Sequence, residues 1–529
     1  MEKRTITIVG LSGSGKSTVG KLLADALGLS FTDTDKEIER ETGMSVPEIF
    51  DRLGEKAFRE IEKRVVLRSI RKGGVVSLGG GAILDPENRK AILEDSVSFY
   101  IKVSIDELER RLRREAEDRP LLRGNLRERL ESLYVARKEL YEMAHFTIEG
   151  DNLSPEEACA LMVFNLKGVF EEDVIYSSLH DVHVKRICWE EIGCFPVLTT
   201  SSVYRIYRPF IKEGGKLLIA PDGEEAKDLS FIERLYKTFI DWEIERKDTV
   251  VALGGGALTD AVGFATATFK RGCEFLSVPT TLLGQVDASI GGKTAINLGE
   301  IKNVIGAFKV PKLVLIDPTF VLSQDPKRFS EGLVEAIKIA LVASRELFEF
   351  IEDNIDRIKK RDLRTLFKLI KTSVELKLRI AERDLFDRSL RQILNFGHTL
   401  GHAIESAYNM SHGEAVSLGK SFALRLGEFL GITERGILDR VLNLLKAIDM
   451  PVELKDLDLN RVYAKLVQDK KIKNGKVNFI LVKNIGESII YPISLPELTS
   501  YISRLSLTRA PIDLAQEAYR AGEVFQGER

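Results

Sequence analysis

The stretch TITIVGLSGSGKST, residues 5–18, decides the fold of the first third of the chain. Thr5–Val9 is a β-branched run typical of a buried strand, and residues 10–18 match the pattern G-x-x-x-x-G-K-S/T. Residues 19–27 continue as a helical pattern. Such a loop wraps phosphate with backbone N–H groups. The stretch therefore predicts an α/β domain with a parallel sheet and a nucleoside triphosphate site formed by Gly13, Ser14, Gly15, Lys16, Ser17 and Thr18.

Length and composition limit the class of protein. A chain of 529 residues is too long for one core and predicts two to four domains. The net charge of −2 provides no field for nucleic acid or membrane, and the four cysteines form no C-x-x-C pair. The opening MEKRTITIVG predicts no signal peptide, and no apolar run reaches the roughly 18 residues of a membrane helix. We therefore expect a cytoplasmic globular protein.

Carboxylates, an arginine and glycines follow the phosphate loop. Asp33 and Asp35 come after a short predicted strand, where α/β proteins place their ligands. Arg59 lies in a helical stretch, and Gly79-Gly80-Gly81 follows a predicted strand at residues 75–78. Taken singly, these residues are explained as well by a helix cap, a surface ion pair and a turn. Their joint presence after a phosphate loop favours a second, polar substrate.

With Arg119-Pro-Leu-Leu and Arg137-x-x-x-Tyr141 added, the first third resembles the shikimate kinase family along essentially its whole length. The resemblance implies ATP- and Mg2+-dependent phosphorylation of the 3-hydroxyl of shikimate. Lys16 and Arg119 would bind ATP and act in catalysis, with Arg119 on a closing lid. Ser17 would ligate Mg2+, and Asp33 would lie near its shell. The implied shikimate-binding residues are Asp35, Arg59, Gly80, Gly81 and Arg137.

A second strand–helix alternation begins after residue 195. A predicted strand at residues 249–253 leads into GGGALTD and a small-residue helix, which is a dinucleotide-type phosphate turn. After about residue 325 the alternation gives way to long helical patterns, which predict an all-α domain. The predicted domains are 1–165 (P-loop domain), 166–194 (linker or edge hairpin), 195–325 (Rossmann-like NAD-binding domain), 326–505 (α-helical metal and substrate domain) and 506–529 (tail).

The stretch LNFGHTLGHAIESAYNMSHGEA, residues 394–415, contains three of the six histidines, His398, His402 and His412. Clustered neutral imidazoles suit a divalent transition metal, Zn2+ first among them. His398 and His402 are four residues apart in a helical pattern and would share one face. From spacing alone, this pair is the more plausible chelate.

Eight motifs carry a second resemblance. DGEEAK, LGGGALTD, VPTTLLGQVDASIGGKTAIN, KNVIGAF, EGLVEAIK, LNFGHTLGHAIE, HGEAV and DKK occur in the order found in the 3-dehydroquinate synthase family, over about residues 195–500. The resemblance implies bound NAD, a divalent metal (Zn2+, or another such as Co2+) and 3-deoxy-D-arabino-heptulosonate 7-phosphate as substrate. The implied reaction oxidises a hydroxyl, eliminates phosphate, returns the hydride and closes the ring of 3-dehydroquinate.

The resemblance also implies site residues. The metal ligands would be Glu335, His398 and His412, with His402 beside the substrate. Arg271 would reach the neighbouring subunit's site, which implies a homodimer through this half. The implied catalytic residues are Asp287, Lys293, Lys302, Lys338, Arg391, Asn395 and His402. Other substrate contacts would come from Asn303, Lys377, Lys470 and Lys471. The implied NAD contacts are Asp222, Gly223, Glu224, Lys227, Gly254, Gly255, Gly256, Asp260, Thr280, Thr281, Lys293 and Lys302.

Other classes of protein remain open from the sequence. The second half could be a metal- and NAD-dependent polyol dehydrogenase, and the first third a nucleotide or gluconate kinase. A scaffold with one inactive site is a third possibility. The two complete motif sets favour a bifunctional enzyme of the shikimate pathway, which makes precursors of the aromatic amino acids.

Overall fold

A computed structural model describes residues 5–113, 125–212, 214–299, 301–453, 458–467 and 476–506. Three predicted site residues, Arg119, Lys470 and Lys471, lie outside these ranges, as do residues 507–529 of the predicted tail. Among the helices that the structure describes, none is both long and apolar enough to cross a bilayer.

The first third forms a five-stranded, fully parallel sheet in the order β2-β3-β1-β4-β5. Its strands are β1 (Thr5–Val9), β2 (Phe31–Asp33), β3 (Val75–Ser77), β4 (Ser96–Lys102) and β5 (Phe146–Glu149). Its helices are α1 (Lys16–Leu27), α2 (Thr34–Thr42), α3 (Val46–Lys72), α4 (Pro86–Glu94), α5 (Ile105–Leu112), α6 (Leu126–Tyr141) and α7 (Pro155–Phe164). This arrangement confirms the predicted parallel α/β domain.

The phosphate loop follows β1, which is the central strand of this sheet. All five residues of β1 are buried, as expected for a strand with neighbours on both sides. Gly15 precedes α1 with a φ of 91°, a conformation that a residue with a side chain rarely adopts. The loop therefore turns sharply enough for α1 to begin at Lys16, three residues before the predicted helix.

The second half contains a seven-stranded sheet in the order β6-β7-β14-β11-β10-β8-β9, with β6 antiparallel at one edge. Its strands are β6 (Asp173–Ile175), β7 (Val182–Val184), β8 (Val197–Thr200), β9 (Leu217–Ala220), β10 (Thr249–Gly254), β11 (Glu274–Pro279) and β14 (Leu313–Ile316). A separate hairpin consists of β12 (Lys293–Leu298) and β13 (Ile301–Phe308). The helices of this part are α8 (Trp189–Ile192), α9 (Ser201–Tyr207), α10 (Leu229–Asp241) and α11 (Gly256–Thr268).

The segment predicted as a linker, residues 166–194, is part of this sheet. The strands β6 and β7 form an antiparallel edge hairpin, and β7 also pairs in parallel with β14. Val182 and Val184 are fully buried on the sheet, which explains why the segment is ordered. The segment therefore contains an edge hairpin, which is one of the two alternatives predicted for it.

Helices dominate the chain after residue 325, as predicted, but they are not alone. The helices are α12 (Pro326–Ala343), α13 (Arg345–Asp353), α14 (Ile355–Lys359), α15 (Leu363–Arg383), α16 (His398–Tyr408), α17 (His412–Phe429), α18 (Ile437–Ala447), α19 (Leu459–Val467) and α20 (Leu495–Ser506). A hairpin of β15 (Lys476–Asn484) and β16 (Glu487–Ser494) packs on α12 and α17. The prediction of an all-α domain was wrong at this hairpin, where the buried run from Phe479 to Val482 covers helices rather than continuing one.

The two halves share a core through α7. Every residue of α7 from position 158 to 164 is buried, so the helix has apolar neighbours all round. Phe164 lies 5.0 Å from Tyr207, 5.1 Å from Phe320 and 5.9 Å from Trp189 between ring centroids. These partners belong to the second half, so α7 joins the two halves as a packed element rather than a tether.

Candidate nucleotide, substrate and metal sites

The phosphate loop brings together the residues predicted for ATP and Mg2+. Lys16 is buried, and its Nζ donates to the carbonyl of Leu11 at 2.9 Å. The hydroxyl of Ser17 donates to Oδ2 of Asp33 at 2.5 Å, and Asp33 also caps the N-terminus of α2. A hydroxyl and a carboxylate thus lie side by side next to a phosphate loop, which is a suitable oxygen ligand set for Mg2+.

The residues predicted to form the shikimate pocket lie close together beside the phosphate loop. Nη1 of Arg137 donates to the carbonyl of Gly80 at 3.0 Å. A Cβ at Gly81 would lie only 2.3 Å from Nη1 of Arg59, so a side chain there would displace this guanidinium. Oδ1 of Asp35 would lie 2.6 Å from a Cβ at Gly79. Two guanidinium groups and a carboxylate therefore lie against the three glycines, and such groups suit an acid with several hydroxyls.

Glu62 also belongs to this pocket, although sequence reasoning missed it. Its side chain is 3% exposed, and Oε2 accepts from Nη1 of Arg59 at 2.6 Å. Burial raises the pKa of Glu62, and the positive charge of Arg59 only partly offsets that effect. The i,i+3 spacing from Arg59 in a helix was the only sequence signal.

A cavity of about 670 Å3 opens on the other side of the phosphate loop. It is lined by Gly13, Ser14, Gly15, Val19, Ile101, Glu107, Arg110, Arg111, Gly150, Asn152, Leu153, Ser154, Pro155 and Ala158. Apart from the loop glycines and Ser14, these residues were not predicted. The cavity adjoins the phosphate loop and has two arginines in its wall, so it has room for the remainder of a nucleotide.

The dinucleotide-type turn has the expected geometry. The strand β10 ends at Gly254, α11 begins at Gly256, and no side chain caps the helix at Gly255. Its N-terminal N–H groups are therefore available to an anion such as a pyrophosphate. Thr281 lies against this turn, with its Cγ2 3.2 Å from the position of a Cβ on Gly255.

The other residues predicted to bind NAD form a polar network next to the turn. Nζ of Lys227 lies 2.6 Å from Oδ2 of Asp260 and donates to Oδ1 of Asn303 at 2.7 Å. Asn297, which was not predicted, donates to Glu224 at 2.9 Å. Asp222 accepts from both the backbone N–H and the hydroxyl of Ser202, which was also not predicted as a site residue.

A buried acid–lysine cluster lies between the two domains of the second half. Nζ of Lys338 lies 2.8 Å from Oδ2 of Asp287, and Lys377 also pairs with Asp287. Burial favours the neutral acid, but the two ammonium groups outweigh it and hold the pKa of Asp287 well below its ordinary value. Burial lowers the pKa of Lys377 to about 8, and Asp287 only partly offsets it.

The other predicted cations of this half also have polar partners. Lys293 pairs with Asp387 at 2.5 Å, and Lys302 pairs with Glu405 at 2.6 Å. Nη1 of Arg391 donates to the carbonyl of Gly291 at 3.0 Å. Asn395 ends the turn Leu390–Asn395, directly before the helix of the histidines.

Arg271 does not lie with these residues. It follows the C-terminus of α11 in the turn Phe269–Arg271, whereas the phosphate turn is at the N-terminus of the same helix. At about 1.5 Å per residue, the 13 residues of α11 separate the two ends by about 20 Å.

The three predicted metal ligands converge from different helices. Ligand atoms of Glu335, His398 and His412 all lie within 4.8 Å of one another. The Nε2 atoms of His398 and His412 are 3.7 and 3.9 Å from the carboxylate of Glu335. Both oxygens of Glu335 are buried, and Oε2 also forms an ion pair with Nζ of Lys338. A buried carboxylate facing two imidazoles fits a divalent cation with positions left for substrate.

The pKa values of the two imidazoles are shifted in opposite directions. Burial holds the pKa of His398 well below its ordinary value, so this ring is neutral. Burial lowers the pKa of His412 too, but the hydrogen bond with Glu405 and the negative charges of Glu335 and Glu405 together outweigh burial and raise that pKa. Nδ1 of His412 lies 3.2 Å from Glu405, which leaves Nε2 directed at Glu335.

His402 lies beside this group of residues. Its ring centroid is 5.3 Å from that of His398 and 5.9 Å from that of His412. A second possible ligand set consists of His402, Glu405 and His412. The pair His398/His402 therefore shares a helix face as predicted, but no described ligand set contains both of its members.

Lys420 is a buried cation that sequence reasoning missed. It is fully buried in α17; its Nζ donates to the carbonyl of Val334 and lies 3.8 Å from Oε1 of Glu335. Burial lowers the pKa of Lys420 to about 7, and the charge of Glu335 only partly offsets it. A lysine on an apolar helix face was the available signal.

Family models match most of the chain. The shikimate kinase model matches residues 12–167, and the N- and C-terminal models of 3-dehydroquinate synthase match residues 217–331 and 332–472. The bifunctional shikimate kinase/3-dehydroquinate synthase of Thermotoga maritima is 39% identical over 499 residues, which are 91% of this chain and 96% of that protein. The 3-dehydroquinate synthase of Caldanaerobacter subterraneus subsp. tengcongensis is 38% identical over 304 residues, covering 55% of this chain and 85% of that protein.

A solved structure resembles the second half. The 2-epi-5-epi-valiolone synthase from Streptomyces hygroscopicus subsp. jinggangensis, with NAD+ and Zn2+ bound, is 25% identical and has a TM-score of 0.58. The match covers 64% of this chain and 99% of that chain.

The fold and sites thus define a P-loop phosphotransferase joined to an α/β enzyme with a dinucleotide turn and a candidate metal site. The chain belongs to the family of bifunctional shikimate kinase/3-dehydroquinate synthases. The polyol dehydrogenase and gluconate kinase alternatives are thereby set aside.

Proposed function

We propose that the first third transfers the γ-phosphoryl group of Mg2+–ATP to the 3-hydroxyl of shikimate. The observation that carries this proposal is the position of the Arg59–Arg137 pocket directly beside Lys16, Ser17 and Asp33. Asp35 and the two guanidinium groups would orient the hydroxyls and the carboxylate of shikimate. Lys16 would stabilise charge on the β- and γ-phosphate oxygens, while Ser17 and Asp33 would hold Mg2+.

We propose that the second half converts 3-deoxy-D-arabino-heptulosonate 7-phosphate into 3-dehydroquinate and phosphate. The observation that carries it is the cation cluster around Asp287 next to Glu335, His398 and His412. NAD would accept and return a hydride at the turn of Gly254, Gly255 and Gly256. A Zn2+ or Co2+ ion on the Glu335 set would polarise the hydroxyl that is oxidised.

The lysines and arginine around Asp287 have a binding role in this proposal. Lys338, Lys377 and Arg391 would grip the carboxylate and phosphate of the substrate. Asp287 would accept from its hydroxyls because the lysines keep it ionised. Their burial keeps water away from these groups and so strengthens each charge interaction.

We also propose a cytoplasmic homodimer. A dimer would give Arg271 a role, since this residue lies at the far end of α11 from the phosphate turn of its own chain.

Two assays on the purified full chain test both functions. We expect ADP formation that depends on shikimate, and phosphate release from the heptulosonate phosphate that depends on NAD and a divalent metal. Net accumulation of NADH from polyols without phosphate release would contradict the synthase proposal. ADP formation with gluconate but not shikimate would contradict the kinase proposal.

Replacing Glu62 by glutamine should raise the KM for shikimate about tenfold and leave the KM for ATP unchanged. The change removes the buried counter-charge that holds Arg59 at the pocket, a charge-assisted contact of roughly 1.5–3 kcal/mol. Steady-state kinetics with each substrate varied would measure it. Glu55→Gln is the matched control, because Glu55 is the exposed partner of the same guanidinium. Equal effects of the two variants would contradict the role of Glu62.

The kcat/KM of the synthase should fall as pH rises through about 8. Lys377 is charged below the pH that equals its pKa of about 8, and its neutral amine above that pH cannot bind an anion. Lys377→Arg should flatten this limb, because a guanidinium stays charged throughout the range. A falling limb that persists in the arginine variant would assign it to another group.

A further inference from the structure

One wall of the nucleotide cavity is the loop between β5 and α7. Asn152 in this loop has a φ of 60°, a left-handed conformation that costs energy in a residue with a side chain. The loop is tied to its own half at both ends: Gly150 N donates to Lys102 O at 2.7 Å, and Ser154 caps α7. A third bond, from Ser104 N to Oδ1 of Asp151 at 2.9 Å, holds the side chain of Asp151, but none of these bonds involves the carbonyl of Asn152.

The carbonyl of Asn152, next to Asp151 in the loop, is held by a residue of the other half. Nη1 of Arg205, in α9, donates to the carbonyl of Asn152 at 3.1 Å and to Oε2 of Glu157 at 3.1 Å. Nη2 of Arg205 donates to Oε1 of Glu157 at 2.5 Å. The guanidinium therefore bridges the strained residue of the loop and the first turn of α7, with a bidentate grip on the carboxylate.

The helix that carries Arg205 is itself firmly seated. It follows β8 directly, and Val203, Ile206 and Tyr207 on its inner face are buried. The hydroxyl of Tyr207 lies 2.7 Å from that of Ser323, and its ring packs on Phe164 at the far end of α7. The guanidinium is thus presented from a packed element of the synthase sheet rather than from a loop.

We propose that Arg205 is a positioning residue of the kinase, supplied by the synthase half, which holds the Asn152 loop in its nucleotide-accepting shape. The inference rests on the proposed kinase function of the adjoining phosphate loop. A loop that is ordered before the nucleotide arrives needs no ordering on binding, so the contact contributes to nucleotide affinity and not to phosphoryl transfer. The nucleotide site is therefore complete only in the joined chain.

Arg205→Ala in the full chain should raise the KM for ATP about three- to tenfold, the range expected for a bidentate but half-exposed ion pair with one backbone bond. The kcat of the kinase and the KM for shikimate should not change. The dissociation constant of a non-hydrolysable ATP analogue, measured by calorimetry, should rise by the same factor. Arg205→Lys should recover part of the loss, because it keeps the charge without the fork.

Lys237→Ala is the matched control, since it removes a surface lysine paired with Glu233 on α10, away from the kinase. This variant should bind the analogue like the parent chain. An unchanged analogue affinity in Arg205→Ala would overturn the inference, as would a fall in kcat with both KM values constant, which indicates misfolded protein. A failure of the proposed kinase function would give a different result from a failure of this inference. In that case the unaltered chain would bind the analogue but would not phosphorylate shikimate.

Discussion

Replacing His412 by alanine should abolish NAD-dependent phosphate release, with a loss of at least about 100-fold, and leave the kinase at full activity. The change removes one of three ligand atoms that face one another within 4.8 Å. It also leaves the carboxylate of Glu335 buried with one imidazole fewer, so metal affinity should fall by more than the 10–100-fold typical of residues behind the ligands. Metal content after dialysis against a weak chelator, measured beside both activities, provides a readout independent of turnover.

The fold should survive this change. His412 is the first residue of α17, and the helix is capped by Ser411 and Glu414 rather than by the imidazole. His183→Ala in β7 is the matched control, because it removes a histidine remote from the cluster in the second half. A variant at position 412 that retained both metal and phosphate release would exclude this histidine as a ligand. Parallel loss of the kinase would exclude two independent sites.

Replacing Lys16 by alanine should lower the shikimate-dependent formation of ADP by about 1,000-fold or more, with the synthase unaffected. The lysine is the charge that the phosphate loop places at the transferred group, and preorganised charges at such positions contribute about 100- to 1,000-fold or more to the rate. Coupled measurement of ADP, with the phosphate-release assay run on the same preparation, would check the result.

Lys21→Ala is its control, since Lys21 is exposed on the same helix, one turn further along. Both variants remove one lysine from α1, so only the position relative to the loop differs. If Lys21→Ala were as inactive as Lys16→Ala, the defect would lie in the helix rather than in phosphate binding. Synthase activity lost in either variant would instead indicate that damage spreads through the shared core.

Local sequence patterns predicted those parts of the sites whose residues are close together in the sequence. The strand β1, the phosphate loop and Lys16 lie within a few residues of one another in the sequence. Spacing alone therefore predicted their geometry. Glu335 could not be joined to His398 and His412 by spacing, because it comes from α12 while the histidines begin α16 and α17. Only the family resemblance linked them, and the structure brings the three together.

Burial was the property that sequence reasoning could not supply. Glu62 and Lys420 appear as ordinary charges in helices, yet both are nearly or fully buried beside predicted site residues. The hairpin of β15 and β16 was missed for a related reason, since its apolar run has no period that distinguishes a strand from a buried helix. Arg205 belongs to none of the sequence motifs. Its proposed role is inferred only from its contacts with the other half of the chain.

The helix α7 also has a consequence for synthesis on the ribosome. Its apolar surface is complete only when Phe320 packs against Phe164, and Phe320 is translated about 150 residues later. At about 5–20 residues per second, roughly 8–30 s pass between the two. During that interval the nascent kinase exposes part of the apolar surface of α7 to solvent. We therefore expect its early folding intermediate to bind a ribosome-associated chaperone.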